Sequence, residues 1–163
     1  MKTAERSAAR LAAVQALYQM DVGGKGVIDA TAEFEAFWIG REVEGIAFKT
    51  AENAFFRDIL AGVVAEQVAV DQLVDRFLSA DWPLARVEAV LRAILRAAAY
   101  ELAYRKDVPG RVVISEYVDV AHSFYSGDEP GLVNGVLDSV AREVRAGEMK
   151  DRGTPGRGRP AKV

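Results

Sequence analysis

The chain has 163 residues, of which 50% are hydrophobic and 28% are charged, and it contains no cysteine. This balance predicts one folded domain with its own hydrophobic core, and it excludes disulfides, thiolate metal sites and a cysteine nucleophile. The formal net charge is −3. Because no apolar run approaches the roughly 20 residues of a membrane span, we expect a cytoplasmic protein without a secretion signal.

The first half of the chain contains three helical patterns. Residues 3–22 are rich in alanine, leucine, arginine and glutamine and are followed by two glycines, which is typical of a helix ended by glycine. Residues 28–39 form a second helical segment with aromatic residues on its apolar side. Thr50 is a candidate N-cap, and apolar residues at three- and four-residue steps then predict one long helix that continues to Phe77.

The second half contains three more amphipathic segments. Pro83 stands where a proline favours a helix start, and an apolar face then continues to Lys106. A break containing proline and glycine and a turn at 126–130 separate the two remaining segments, 114–125 and 133–144. No stretch alternates in the manner of a strand, so the sequence predicts an all-α fold, a compact bundle of six to seven helices without a sheet.

The composition changes after Gly147. Residues 148–163 contain five basic and two acidic residues and few apolar ones. We therefore expect a helical domain over residues 1–147 and a disordered basic tail over 148–163. Residues 155–160 are similar to the core of AT-hook peptides, which enter a narrow minor groove. Nonspecific electrostatic assistance to nucleic-acid binding is the alternative role for this tail.

The sequence lacks motifs for enzymatic chemistry. His122 is the only histidine and belongs to an amphipathic segment, which favours a structural role over a catalytic one. Phosphate-binding loops, dinucleotide fingerprints and nucleophile elbows are absent. Asp71 and Asp75 are one helical turn apart, as expected for a solvated helix surface. We therefore expect a protein that is not an enzyme and needs neither a metal nor another cofactor.

Basic residues are spaced regularly along the first helix. Lys2, Arg6 and Arg10 follow one another at four-residue steps, so they form a stripe that rises about 6 Å per step. This spacing is similar to that of successive backbone phosphates, and the ring of Tyr18 offers a surface on which an unpaired base can stack. The alternative is a solvated basic face with Tyr18 in the core. We expect that reversing Arg6 and Arg10 to glutamate weakens RNA binding and leaves thermal stability nearly unchanged, whereas a large fall in melting temperature would mean that they are structural.

Short motifs follow one another in a fixed order along the chain. They lie at residues 9–19, 56–63, 92–102, 107–109, 114–118 and 133–138. Together they resemble the NusB family of transcription antitermination factors, over residues 2–145. The resemblance implies a compact helical bundle that pairs with the ribosomal protein NusE and binds boxA RNA in nascent ribosomal RNA. It also implies that the complex joins transcribing RNA polymerase.

The resemblance implies roles for individual residues. The implied RNA-binding residues are Lys2, Arg6, Arg10, Tyr18 and Asp128. Lys2, Arg6 and Arg10 contact phosphates under this hypothesis, whereas Tyr18 and Asp128 lie near bases. For Asp128, the alternative is the N-cap of the helix that follows it.

Contact with NusE is implied on the middle helices around Arg96. Asn134 and Asp138 match motif positions, but a hydrogen bond to backbone and an ion pair with a nearby arginine explain them structurally. The chain also departs from the family pattern. Glu5 interrupts the basic stripe, and Leu132 stands where the family often has an aromatic residue. These departures predict fewer RNA contacts and more partner-dependent binding.

Two other functions are compatible with the same pattern. A similar helical domain precedes the catalytic domain of certain ribosomal RNA cytosine methyltransferases, although a freestanding module is expected for a chain of this length. A purely structural helical protein is the other alternative, and a homodimer is possible under each hypothesis.

Overall fold

The structure of the protein, a computed structural model, describes residues 2–38, 42–43, 46–47 and 50–153. Over these residues the chain forms eight α-helices. They are α1 (Lys2–Gly23), α2 (Val27–Trp38), α3 (Thr50–Ala65), α4 (Gln67–Asp75), α5 (Ala89–Tyr104), α6 (Gly110–Phe124), α7 (Glu129–Val144) and α8 (Ala146–Gly153). The predicted all-α class is confirmed. The structure differs from the prediction at Glu66, at the start of α5 and in the additional helix α8.

A short hairpin of two strands, each two residues long, lies between α2 and α3. Strand β1 (Glu42–Val43) pairs antiparallel with β2 (Ile46–Ala47). Strands this short contain no alternating pattern, which explains why the sequence predicted no sheet. Within the described residues, no helix is both long enough and apolar enough to span a membrane.

Helix α5 lies at the centre of the bundle and packs against α1, α3, α4, α6 and α7. Ten of its 16 residues are buried. A helix that is apolar on most of its circumference is stable only when other helices surround it. Its run of alanines, Ala97 to Ala99, and the buried alanines of α1 allow the two helix backbones to approach closely.

Two ion pairs fix the relative direction of α1 and α5. Arg10, near the start of α1, pairs with Glu101, near the end of α5. Asp21, near the end of α1, pairs with Arg92, near the start of α5. The two helices are therefore antiparallel, and the N-terminus of α1 lies at the same end of the bundle as the C-terminus of α5.

The long helix predicted from Thr50 to Phe77 is wrong, because the structure divides it at Glu66 into α3 and α4. The turn contains neither proline nor glycine. Beyond the turn, α4 buries Val70, Leu73 and Val74 and packs mainly against α5. The turn thus reorients the apolar face toward a different neighbour, which a periodic pattern does not reveal.

The predicted helix start at Pro83 is also wrong. Residues Leu84–Arg86 form a single 3-10 turn, and α5 begins at Ala89. The carboxylate of Glu88 accepts a hydrogen bond from the backbone N–H of Val90 at 3.2 Å and so caps the helix. The side chain of Arg92 donates to carbonyl oxygens of the preceding turn, including that of Val87 at 2.6 Å.

The C-terminal helix α8 contradicts the disordered tail predicted from residue 148, since residues 148–153 are helical. Met149 is 1% exposed and belongs to the core. The carboxylate of Glu148 accepts a hydrogen bond from the backbone N–H of Gly110, the first residue of α6, at 2.5 Å. One buried methionine and one capping carboxylate thus hold this helix. Residues 154–163, with the AT-hook-like segment, lie outside the described residues.

Arg145 lies between α7 and α8 and connects this part of the bundle to the end of α5. Its guanidinium donates to backbone carbonyl oxygens at the C-terminus of α5 and just beyond, those of Glu101, Leu102, Arg105 and Val108. The carbonyl oxygen of Glu101 also accepts from the backbone N–H of Arg105, and that of Arg105 accepts from the N–H of Val108. Those of Leu102 and Val108 have no such backbone donor among the described residues, because carbonyls at and beyond the end of a helix lack i+4 donors. A single buried arginine therefore satisfies them and fixes α7 against α5.

Candidate nucleic-acid interface

The structure buries Arg10 rather than exposing it in a basic stripe. Arg10 is 2% exposed, and its Nε and Nη2 atoms donate to the two oxygens of Glu101 at 2.8 and 3.0 Å. Its Nη1 atom donates to Glu116 at 3.0 Å. The assignment of Arg10 to a solvent-facing phosphate site is thus wrong. Each four-residue step rotates by about 40° around a helix. At Arg10 the side chain therefore faces α5 and α6 instead of solvent.

Arg10 is the centre of a buried polar network that links three helices. The hydroxyl of Tyr117 donates to Glu101 at 2.5 Å, and the hydroxyl of Ser7 donates to Glu116 at 2.5 Å. Burial disfavours the charged guanidinium, but the hydrogen bond and charge of Glu101 outweigh it and hold the pKa of Arg10 above its ordinary value. Burial, reinforced by Glu101, raises the pKa of Tyr117 well above its ordinary value. The network therefore orients α1.

Arg6 remains available on the surface. Its guanidinium carbon lies 4.4 Å from the centroid of the Phe55 ring, and the residue is partly exposed. Within the described part of the chain, no carboxylate forms an ion pair with it. Arg10 and Arg105 also face the Phe55 ring, each at 4.9 Å. A buried phenyl ring thus holds Arg6 in place by a cation–π contact without neutralising its charge.

Lys2 and Tyr18 lie at opposite ends of α1. The backbone of Lys2 begins the helix, whereas its side chain lies outside the described residues. Tyr18 is partly buried and packs against the hydrophobic core. Its ring is thus neither fully in the core nor fully free for stacking, since one portion packs inside and the rest faces solvent.

Asp128 occupies the N-cap position of α7, but its side chain accepts no capping hydrogen bond. It is exposed. Three residues earlier, the hydroxyl of Tyr125 donates to Glu88 at the start of α5. Asp128 therefore lies toward the end of α5 where α1 terminates, beyond Tyr18. Arg6 lies at the opposite end, about 18 Å along α1 from Tyr18 at 1.5 Å per residue.

Arg96 is engaged within the molecule. Its guanidinium donates two hydrogen bonds to Asp71 on α4, at 2.8 and 2.9 Å, and its side chain is 16% exposed. A partner therefore meets an Arg96–Asp71 pair there rather than a free cation. Asp138 pairs with Arg142 at 2.8 Å, as predicted. Asn134 is exposed, and its side chain forms no hydrogen bond with the described residues, contrary to expectation.

The turn between α5 and α6 contains cations that the sequence analysis did not single out. Arg105 donates to both oxygens of Asp107 at 3.0 Å and to Asp58 at 2.9 Å. The hydrogen bond from Arg105 lowers the pKa of the Asp107 carboxyl. Lys106 is exposed and lies beside Arg105. In the sequence these cations are visible only as a basic pair shortly before the Val-Pro-Gly break. Their proximity to Arg6 becomes apparent only when the structure places α1 beside them.

Comparison with known sequences decides the family. The NusB family matches residues 7–142. The chain belongs to the NusB family. It is 63% identical over 148 residues to the transcription antitermination protein NusB of Rhodopseudomonas palustris strain TIE-1, covering 91% of this chain and 85% of that protein. The NusB of Nitrobacter winogradskyi is 62% identical over 148 residues, which cover 91% of this chain and 92% of that protein.

Solved NusB structures share the fold. The NusB of T. maritima superposes with a TM-score of 0.74 at 29% identity, covering 90% of this chain and 96% of that one. A crystal structure of the antitermination factors NusB and NusE in complex with dsRNA gives a TM-score of 0.72 at 24% identity, over 85% of this chain and 97% of that one. The compact bundle implied by the NusB resemblance is thus confirmed.

Membership in the NusB family also decides the class of protein. Its members are transcription antitermination factors, so the prediction of a protein that is not an enzyme is confirmed. The relatives extend little beyond the matched region, with 85% and 92% of their lengths covered. This coverage does not favour the alternative of an accessory domain attached to a methyltransferase. Across the described residues, no group of three or more acidic or histidine side chains is arranged to hold a metal.

Proposed function

We propose that this chain is an RNA-binding antitermination factor that binds boxA RNA together with NusE and then joins transcribing RNA polymerase. The observation that carries the proposal is the 63% identity over 148 residues to a transcription antitermination protein. A factor that acts on nascent ribosomal RNA works in the cytoplasm, in agreement with the composition of the chain.

In this proposal, the exposed side of α1 is the RNA-binding surface. Arg6 supplies a positive charge that forms no ion pair with the described residues and is offset only in part by the nearby Asp107, and Lys2 begins the same helix. Arg10 acts from inside, because its ion pairs with Glu101 and Glu116 fix the orientation of α1. Tyr18 and Asp128 lie toward the far end of this surface, where an exposed ring edge and an exposed carboxylate meet unpaired bases.

NusE is the proposed protein partner. A NusB of the same fold has been crystallised with NusE and dsRNA. In this chain, the Arg96–Asp71 pair joins α4 to α5 and marks the face on which we place the contact. Because each charge of the pair already has a partner, NusE binding there depends on shape and polar contacts more than on salt.

The proposal is tested by measuring RNA binding of the full chain by fluorescence anisotropy. The ligands are a boxA-like single strand and a scrambled strand, at two salt concentrations, with and without purified NusE. We expect a preference for the boxA-like strand that NusE strengthens and salt weakens. Equal binding to both strands, unaffected by NusE, would contradict the proposal and support a helical protein with a generally basic surface.

The contribution of Arg6 is measured with Arg6→Gln in the same assay. We expect weaker binding and a salt dependence reduced by about 0.7 in the slope of log K against log salt, the value for one phosphate contact on a single strand. Arg86→Gln is the matched control, since Arg86 is exposed and lies over Trp82 in the segment between α4 and α5, whereas the proposed surface is formed by α1 and the start of α7. Sedimentation of the free protein reveals whether it forms a homodimer.

A further inference from the structure

Most described arginines are neutralised by a carboxylate. Ion pairs with aspartate or glutamate are formed by Arg10, Arg57, Arg76, Arg92, Arg96, Arg105, Arg142 and Arg145. Among the arginines whose side chains the structure describes, Arg6, Arg86 and Arg111 form no such pair. Lys106 also lacks an acidic partner in that part of the chain and donates only to the carbonyl oxygen of Val144, at 3.2 Å.

Three of these four unpaired cations lie at one end of the bundle. Arg6 shares the Phe55 ring with Arg105, the residue that precedes Lys106. Arg111 follows Gly110, the first residue of α6, which Glu148 of α8 anchors to the same corner. Arg6, Lys106 and Arg111 thus surround the place where α1 begins and α5 turns into α6. We name these three residues the turn patch.

The acidic groups beside the turn patch are already engaged. Asp58 and Asp107 both accept hydrogen bonds from Arg105. Glu148 accepts from the backbone of Gly110 and from Arg145. The pKa of Asp107 is lowered by the hydrogen bond from Arg105 and, to a smaller extent, by the charge of Arg6. That of Glu148 is lowered by the hydrogen bond from Gly110 and, to a smaller extent, by the charges of Arg145 and Arg111. Asp107 and Glu148 thus offset part of the charge of Arg6 and Arg111 without forming an ion pair with them. The turn patch, Arg105 and Arg145 face three carboxylates, those of Asp58, Asp107 and Glu148, so positive charge is in excess among these groups although the chain has a net charge of −3.

We propose that the turn patch is a phosphate-binding site that extends the RNA path from α1 onto the α5–α6 turn. The inference rests on the proposed RNA-binding function. Arg6 would be the shared residue, contacting the strand where it leaves α1, and Lys106 and Arg111 would contact the following phosphates. Such contacts are indifferent to base sequence, because cations that touch phosphates fix the register of a strand without reading it. The patch therefore adds affinity and salt dependence rather than boxA specificity.

The experiment compares Lys106→Gln/Arg111→Gln with the wild-type chain and with Arg86→Gln. A boxA-like RNA is lengthened stepwise, in one series at its 5′ end and in another at its 3′ end, and binding is measured over a range of salt. For the wild type, we expect the slope of log K against log salt to steepen as one series reaches the turn patch. For the double variant, that added slope, about 1.4 for two phosphates at about 0.7 each, should disappear. Binding to the shortest RNA should not change.

The outcomes separate this inference from the proposed function. If the wild type prefers boxA-like RNA but the double variant matches it at every length, the turn patch is wrong and the proposed function stands. An equal loss on the shortest and longest strands would indicate a general electrostatic effect and would also overturn the patch. If the wild type does not prefer boxA-like RNA at all, the proposed function itself fails. Far-ultraviolet circular dichroism and thermal unfolding establish that the variant is folded, as expected for two exposed side chains.

Discussion

Arg10 and Glu101 form a bidentate ion pair between α1 and α5 in which the side chains are 3% and 0% exposed. Two charges that are removed from water stabilise a fold only when each satisfies the other. Here Glu116 and Tyr117 complete the hydrogen bonding. The pair therefore makes the placement of α1 depend on one guanidinium, and with it the orientation of the surface that we assign to RNA.

Replacing Arg10 with methionine is expected to lower the free energy of unfolding by about 3–5 kcal/mol, because it leaves the buried Glu101 without its partner. Denaturant unfolding followed by circular dichroism measures this change. The double variant Arg10→Met/Glu101→Gln should recover part of the loss, since the fully buried carboxylate is then uncharged and the partly buried Glu116 keeps its hydrogen bond from Ser7. Arg6→Glu is the control on the same helix, with an expected change below about 1 kcal/mol. A similarly small effect of Arg10→Met would show that Arg10 is not buried in solution.

The case of Arg10 shows which features of the site were predictable from sequence. Helical periodicity correctly placed Arg6 and Arg10 on one helix with nearly the same direction. It could not show where the neighbouring helices end, and a difference of about 40° around α1 separates a cation beside Phe55 from one enclosed by Glu101 and Glu116. The acidic partners are 91 and 106 residues away in sequence. No local pattern encodes such pairings.

The fold was predictable for a related reason. The six amphipathic segments and the motif order identified the bundle, because periodicity and the family resemblance both report apolar faces. The errors at Glu66, Pro83 and α8 fall where a helix end is determined by capping or by a contact distant in sequence. Arg145 and Glu148 illustrate this, since the partners that hold α8 belong to the ends of α5 and α6.

Substitution of Arg145 tests whether one side chain holds this corner. Arg145→Met is expected to destabilise the fold by at least about 2 kcal/mol, because it leaves the carbonyls of Leu102 and Val108 without a donor and each such buried carbonyl costs about 1–3 kcal/mol. Arg145→Lys should recover only a small part of that, as one ammonium cannot reproduce a planar fork that reaches four carbonyl oxygens. Denaturation midpoints of the two variants measure the difference. If lysine restored full stability, charge rather than geometry would explain the role of Arg145.

Alkaline pH is expected to destabilise the protein through its buried tyrosines. Burial, assisted by the hydrogen bond to Asp58, raises the pKa of Tyr100 to about 12. Because the phenol of an unfolded chain loses its proton near pH 10, the stability due to Tyr100 is complete below pH 10 and declines as pH rises toward 12. Melting temperatures at pH 9, 10 and 11 should therefore fall.

Tyr100→Phe is the control for this alkaline loss. The variant lacks the bond to Asp58 at every pH, so it should be less stable than the wild type at pH 8. Its melting temperature should then fall less between pH 9 and 11, although Tyr117 still contributes to the decline. Parallel curves for the two proteins would show that the pKa of Tyr100 is the same in the folded and the unfolded state, and would contradict the prediction.

Gly62 on α3 leaves space for the ring of Tyr100, which lies where a Cβ atom at position 62 would be. Gly62→Ala must therefore displace that ring and disturb its hydrogen bond to Asp58, 3.0 Å long. Overpacking of this kind costs about 1–3 kcal/mol. Gly135→Ala is the matched control, because a Cβ there meets nothing within 4 Å, and alanine in a helix interior is favoured over glycine by about 0.5–1 kcal/mol. Thermal unfolding should thus shift in opposite directions for the two variants, and a stabilising effect of Gly62→Ala would contradict the close packing of Tyr100 against α3.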